Sequence, residues 1–187
     1  SFNAIVQNTF KWTILGNVAY NSNLVTNLGT FYNAGEINGQ GLSGAYCQRI
    51  ADNQPLYAFF VREFTGFDGA GIAQYAGGDI QKFVDKAPLP KLNFGLTNNF
   101  TISNFDISIF FTGQTGQYVY SNTANAFFTA GSVANGRNAT KDVALTNEDK
   151  LNAPDVSTRF LYDASFVRFQ NMTIGYNFKP GSGVFQN

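Results

Sequence analysis

The chain has 187 residues, a formal net charge of +0, one cysteine and no histidine, a length that fits one domain or part of a larger one. Balanced charge excludes the basic excess of a nucleic-acid-binding face, and the missing histidines and lone Cys47 exclude Ser-His-Asp and Cys-His catalysis, the usual zinc ligand sets and an intrachain disulfide. Aromatic residues reach 16% and charged residues fall to 13%, against roughly 25% charged in average soluble proteins. No apolar run approaches the roughly 18 residues of a membrane-spanning helix. A barrel strand needs none, because it meets lipid only at alternate residues.

The first predicted element covers residues 10–25. Phe10, Trp12, Ile14, Val18 and Tyr20 alternate there with Lys11, Thr13, Asn17 and Asn21, the period that puts successive side chains on opposite faces of a strand. Residues 26–90 are long, polar and glycine-bearing. Their apolar run from Leu56 to Val61 reads as part of an excursion beyond the strands, in preference to one of an added strand pair. The next strand covers 91–103, with Leu92, Phe94, Leu96, Phe100 and Ile102 on one side and Asn93, Gly95, Thr97, Asn99 and Thr101 on the other. Asn98 interrupts the apolar side, and the pattern gives no reason for it.

Ser103-Asn104 is a minimal turn, after which parity flips: Phe105, Ile107, Ile109 and Phe111 become the apolar set against Asp106, Ser108 and Thr112. Such a flip lets both arms of a hairpin present apolar groups on the same side. This strand is expected to run to residue 120, with Tyr118 and Tyr120, like Tyr20, Tyr176 and Phe178, near strand ends where an aromatic girdle would sit. Residues 121–163 form a second long loop. The last strand, 164–178, alternates Met172, Ile174, Tyr176 and Phe178 with Thr173, Gly175 and Asn177, and Lys179-Pro180-Gly181 is a turn signal that closes it.

Strands of about ten residues are long enough to cross a bilayer at a tilt. One short turn between two long loops matches barrels that place short turns in the periplasm and long loops outside. The expected fold is therefore all-β, an antiparallel transmembrane β-barrel segment with long extracellular loops. On that reading strands 10–25 and 105–120 run outward and 91–103 and 164–178 inward. A soluble β-sandwich alternates in the same way; low charge and aromatic strand ends favour the barrel.

Specific stretches resemble a known family. Ala87–Leu96, APLPKLNFGL, is followed by NFDISIFFTGQTGQYVYSNT over 104–123, and residues 157–178 read STRFLYDASFVRFQNMTIGYNF. Together with residues 40–71 they resemble, in order and approximate spacing, the late barrel region of SusC/RagA-type TonB-dependent transporters of Bacteroidota. The resemblance implies a bacterial outer-membrane importer of oligosaccharides or peptides, surrounded by outer-membrane lipid, capped by a SusD-like surface lipoprotein and energised through TonB. Nothing in residues 1–187 corresponds to the family's plug domain, its TonB-contacting segment, its early strands or its last strands, and Ser1-Phe2-Asn3-Ala4 does not open a signal peptide. The expectation is a partial transmembrane barrel. A non-transporting structural or adhesive barrel, and a soluble β-rich carbohydrate-binding module, are the competing functions.

Catalysis and cofactors find no support. Asp68, Asp79 and Asp85 share one loop region without a spacing that pairs them as glycosidase carboxylates. Residues 66–71, GFDGAG, read as a turn, and Asn147-Glu148-Asp149 as a solvated acidic turn without calcium-loop spacing. Binding is the better expectation: tyrosine faces stack on sugar C–H surfaces and amides match hydroxyls. Tyr57, Tyr118, Tyr120, Asn122 and Asn125 are the candidate substrate-binding residues, their plainer roles being girdle or loop packing and turn formation.

Overall fold

The computed structural model describes residues 1–39 and 42–178. In chain order the strands are β1 (Phe2–Val6), β2 (Phe10–Tyr20), β3 (Phe31–Ile37), β4 (Ala45–Ala51), β5 (Ala58–Val61), β6 (Phe64–Phe67), β7 (Ala73–Tyr75), β8 (Lys82–Phe83), β9 (Leu92–Ile102), β10 (Phe105–Thr115), β11 (Tyr118–Tyr120), β12 (Leu161–Asp163) and β13 (Phe166–Tyr176). Three short helices, α1 (Asn122–Phe127), α2 (Ala130–Ala134) and α3 (Lys141–Ala144), and a 3-10 turn, Thr158–Phe160, lie between β11 and β12. The architecture is thus mostly antiparallel sheet with a few helices, and no closed barrel forms among the described residues. No helix there is long and apolar enough to cross a membrane, which says nothing of strands. The chain divides into two compact units rather than one, Ser1–Asn21 with Lys91–Thr115 and Ser165 onward, and Ser22–Pro90 with Gly116–Ala164.

The first unit is a five-stranded sheet in the order β1-β2-β9-β10-β13, antiparallel throughout. The two-residue turn at Ser103-Asn104 sets its register, with Ile102 opposite Phe105 and Ser103 at φ +53°. Because side chains alternate, one register aligns most apolar positions on one face. Rungs run Phe10–Ile102–Phe105–Tyr176, Trp12–Phe100–Ile107–Ile174 and Ile14–Asn98–Ile109–Met172. An irregularity in β13 opposite Phe110 and Phe111 makes Gln170 an extra residue, so Phe169 and Val167 take over the apolar side. This face is open: Val18 is 70% exposed and Ile174 58%. The other face is mainly polar, as in the rung Thr13–Asn99–Ser108–Thr173.

Two details explain residues that break the alternation. Trp12 Nε1 donates to Asn98 Oδ1 at 3.1 Å, while the indole stacks on Phe100 with centroids 5.7 Å apart. An indole N–H on an apolar face needs an acceptor, and Asn98 supplies it. Asn98→Leu is expected to cost about 1–3 kcal/mol, and adding Trp12→Phe should recover part of that loss. Strictly additive losses, measured by unfolding in lipid, would remove the coupling. Phe110, on the polar face, lies across a glycine: a Cβ on Gly95 would sit 3.2 Å from its ring and 2.4 Å from Asn17 Oδ1. On the opposite face Phe94 fills the space above Gly113, where a Cβ would come within 2.3 Å of Phe94 Cζ.

Two strands of the five-stranded sheet end earlier than expected. β2 stops at Tyr20, and β10 stops at Thr115 before Gly116, whose φ is +85°. Tyr118 and Tyr120 therefore do not end a wall strand. They belong to β11, which pairs with β12 in the second unit. Residues 22–90 add no strand to the five-stranded sheet, and the Leu56–Val61 run becomes β5, buried at Ala58, Phe59 and Val61. The turn signal at Lys179-Pro180-Gly181 lies outside the described residues.

The second unit holds a four-stranded sheet, β3-β4-β5-β8, and the two ribbons β6-β7 and β11-β12. Its core is Ile37, Leu42, Cys47, Phe59, Val61 and Val156, with Tyr118, Tyr120 and Leu161 packed against it. The helices have only 6, 5 and 4 residues, and two are capped by side chains: Ser121 Oγ accepts from Ala124 N, and Thr129 Oγ1 from Ser132 N. Helices this short depend on tertiary packing.

Candidate functional site

Three of the five candidate residues meet at one open cleft of about 290 Å³ in the second unit. Tyr118 and Tyr120 come from β11, and Asn122 opens α1. Gly35, Glu36 and Ile37 of β3, Cys47 and Gln48 of β4, Phe59, Pro88 and Val119 complete the lining. Lys86 Nζ lies 4.0 Å above the Tyr118 ring. Asn122 Nδ2 donates to the Asn38 carbonyl at 2.9 Å, and its Oδ1 is buried without a partner. The cleft therefore offers a tyrosine pair, two amides and one carboxylate, a set suited to a polar ligand.

The other two candidates lie elsewhere. Tyr57 is 39% exposed on a left-handed backbone at φ +60°, outside the cleft lining. Asn125 is only 1% exposed. Its Nδ2 donates to the Tyr120 hydroxyl at 2.9 Å and to the Asp155 carbonyl at 2.7 Å, so it braces Tyr120 from behind. Sequence reasoning passed over Gly35, Glu36 and Gln48, which only the pairing of β3 with β4 brings to the cleft.

Tyr120 also belongs to a half-buried polar cluster with Tyr75, Asp155 and Ser157. The Asp155 carboxylate accepts a short hydrogen bond from the Tyr75 hydroxyl and pairs with Ser157 Oγ at 3.3 Å, and its carbonyl accepts from Tyr120 at 3.3 Å. Burial pushes the Tyr120 and Tyr75 hydroxyls well above the usual phenol range, and the Asp155 charge adds to both. Asp155 is itself raised by burial, which outweighs the hydrogen bonds from Tyr75 and Ser157 and the nearby Arg62 and Arg159 charges. A carboxyl raised in the folded state binds its proton more tightly there than in the unfolded chain, where its value is about 3.9. Its contribution to stability is complete below that unfolded value and is lost as pH rises through the folded one. Acidification from neutral is thus expected to raise the amide protection factors over residues 118–127 and 155–160, taken against the intrinsic exchange rate at each pH, and Asp155→Asn to flatten that response. An unchanged pH response in the variant would contradict the assignment.

The remaining acids serve the architecture. Asp68 Oδ1 accepts from the Ala70 and Ile72 amides, each at 2.9 Å, and closes the β6-β7 turn. Asp79 pairs with Arg62, and Asp85 sits on a left-handed turn at φ +53°. Gly71 is required where it stands: its φ is +81°, and a Cβ there would lie 2.1 Å from the Asn147 carbonyl oxygen. Glu148 departs from expectation. It is not solvated: its side chain is 2% exposed and meets Arg159 through two contacts of 2.6 and 2.8 Å. The Cys47 thiol donates to the Gly35 carbonyl at 3.2 Å, and burial pushes it up to about 11, which keeps it protonated. Among the described residues no group of three His, Cys, Asp or Glu side chains is placed to hold a metal ion.

No family model matches the chain. Over 201 aligned residues, 94% of the chain, it is 27% identical to the TonB-dependent receptor SusC of Bacteroides thetaiotaomicron and covers 19% of that protein. The TonB-dependent receptor P3 of Formosa agariphila is 25% identical over 95 residues, which are 48% of the chain and 10% of the receptor. Among solved structures, the RagAB peptide transporter matches 99% of the chain with a TM-score of 0.75 at 19% identity, and 22% of the transporter chain is covered. The RagAB peptide importer in its open-open state gives a TM-score of 0.71 at 17% identity, with coverages of 97% and 22%. At such identities the structural likeness concerns the fold. The chain spans about a fifth of the length of the SusC and RagAB chains it matches. In sequence the chain is thus similar to the TonB-dependent receptor SusC, and in fold to the RagAB transporter chain, over about a fifth of the length of each.

Proposed function

We propose that the chain is part of a TonB-dependent outer-membrane nutrient importer. Its five-stranded sheet is a section of barrel wall, and residues 22–90 and 116–164 are loops on the extracellular side. The observation that carries this reading is the open apolar face of the sheet, which runs from Phe10 to Val18 across four long strands and is uncovered by any second layer among the described residues of its unit. A soluble sandwich buries such a face; a membrane wall turns it to lipid. Length agrees. Strands β2, β9, β10 and β13 each have 11 residues; at about 3.4 Å per residue and a tilt of about 40° the wall is about 28 Å tall, against an apolar band of about 25 Å.

In the whole protein this wall would enclose a plug, take energy from TonB and work beneath a SusD-like surface lipoprotein. The cargo is an oligosaccharide or a peptide, and Tyr118, Tyr120 and Asn122 are the residues of this chain placed to touch it. No catalysis is assigned. The test is the full-length protein in its own host: it should fractionate with the outer membrane, and uptake of its cargo should stop when TonB is deleted. Uptake that continues without TonB would remove the transport reading.

A further inference from the structure

We propose that Arg49 is a carboxylate receptor, its guanidinium fixed between two phenylalanine rings with the Nη edge turned to a carboxylate-bearing ligand. Arg49 lies on β4, with β3 on one side and β5 on the other. The register places Asn33 opposite Arg49 on one side and Ala58 on the other, so Phe31, two residues before Asn33, and Phe60, two residues after Ala58, share its face. The guanidinium carbon is 4.3 Å from the Phe31 ring centroid and 3.7 Å from that of Phe60. Asn33 Oδ1 accepts from Arg49 Nε at 3.1 Å.

This clamp leaves a specific part of the group available. A guanidinium is planar: its faces are weakly hydrated and stack on rings, while its edges carry the N–H donors that fork onto a carboxylate. Here two rings and the Nε bond hold the group, and no hydrogen bond or ion pair seen among the described residues uses its two Nη nitrogens. Ion pairs among the described residues join Arg62 to Asp79, Lys82 to Glu63 and Arg159 to Glu148, and Arg49 takes part in none. Burial lowers its pKa and no neighbouring acid offsets that effect. A partly desolvated cation without a counter-charge favours an anion from outside. Most of the side-chain freedom that binding would otherwise remove is already lost. Phe31, 52% exposed, provides an apolar shelf beside the cation. The matching ligand carries a carboxylate next to an apolar surface, as the C-terminus of a peptide does, or a uronic acid ring.

The inference stands apart from the transport reading and is tested on the purified full-length protein by direct binding. One probe pair is a fluorescein-labelled pentapeptide with a free or an amidated C-terminus; the other is trigalacturonate and its methyl ester. The free acid of at least one pair should bind about tenfold or more tightly than its neutral counterpart. The responding pair identifies the source of the carboxylate. Arg49→Met, which keeps an unbranched side chain between the rings, should abolish that preference. Arg49→Lys should retain only part of it, because the ammonium lacks the fork, and Asn33→Ala should weaken it without removing the charge. Equal binding of acid and neutral probes, no binding by either acid, or a preference that survives Arg49→Met would overturn the proposal.

Discussion

Arginine at Leu96 is expected to destabilise the sheet by roughly 2–4 kcal/mol in a bilayer, while arginine at the next residue, Thr97, should cost far less. Leu96 lies near the middle of β9, 40% exposed, in the rung Gly16–Leu96–Phe111–Phe169 of the apolar face. Thr97 belongs to the opposite face, opposite Leu15 and Phe110. The two substitutions add the same charge one residue apart, so local strand propensity nearly cancels and the difference reports what each face meets. Hydrocarbon leaves a mid-strand guanidinium unsolvated, whereas a wet interior solvates it. Unfolding in lipid vesicles measures both variants, and equal penalties would defeat the assignment of the faces.

Breaking the Glu148–Arg159 pair should cost the second unit about 3–5 kcal/mol. The Glu148 carboxylate receives both Arg159 contacts and also the Ala130 amide at 3.0 Å, at the start of α2. Arg159 in turn lies 5.0 Å from the ring centroids of Phe67 and Phe160. Arg159→Leu leaves a buried carboxylate without its cation, the costly half of the exchange. Glu148→Leu with Arg159→Leu removes both charges and should lose much less than the sum of the single changes. Hydrogen exchange over residues 124–134 and 158–162 in the three variants measures this, and additive losses would count against a coupled buried pair.

What the sequence made legible follows from the range of the interactions involved. β9, the Ser103-Asn104 turn and the parity of β10 could be read because a strand declares its face every second residue and a two-residue turn leaves one register. β1 could not: only five residues long, it has an irregularity between Asn3 and Ile5 that shifts its period. Gln170 does the same inside β13. Asn98 looked anomalous because its reason, the Trp12 indole, lies 86 residues away. Tyr118 and Tyr120 were given to the wall because nothing short of the backbone at Gly116 marks the change of direction. Tyr118, Tyr120 and Asn122 reach one cleft because they are near neighbours in the chain. Glu148 looked solvated because its burial depends on Arg159 and α2.

The outermost strands of the five-stranded sheet differ as templates. Each carries a row of peptide N–H and C=O groups that no strand of this sheet accepts, and in hydrocarbon every such group costs several kcal/mol. On the barrel reading proposed above, lipid would close around the sheet only once further strands had docked on these edges. β13 presents 11 residues to a newcomer and β1 only five, with a bulge among them. Insertion on that reading would proceed sideways, with recruitment fastest along Phe166–Tyr176.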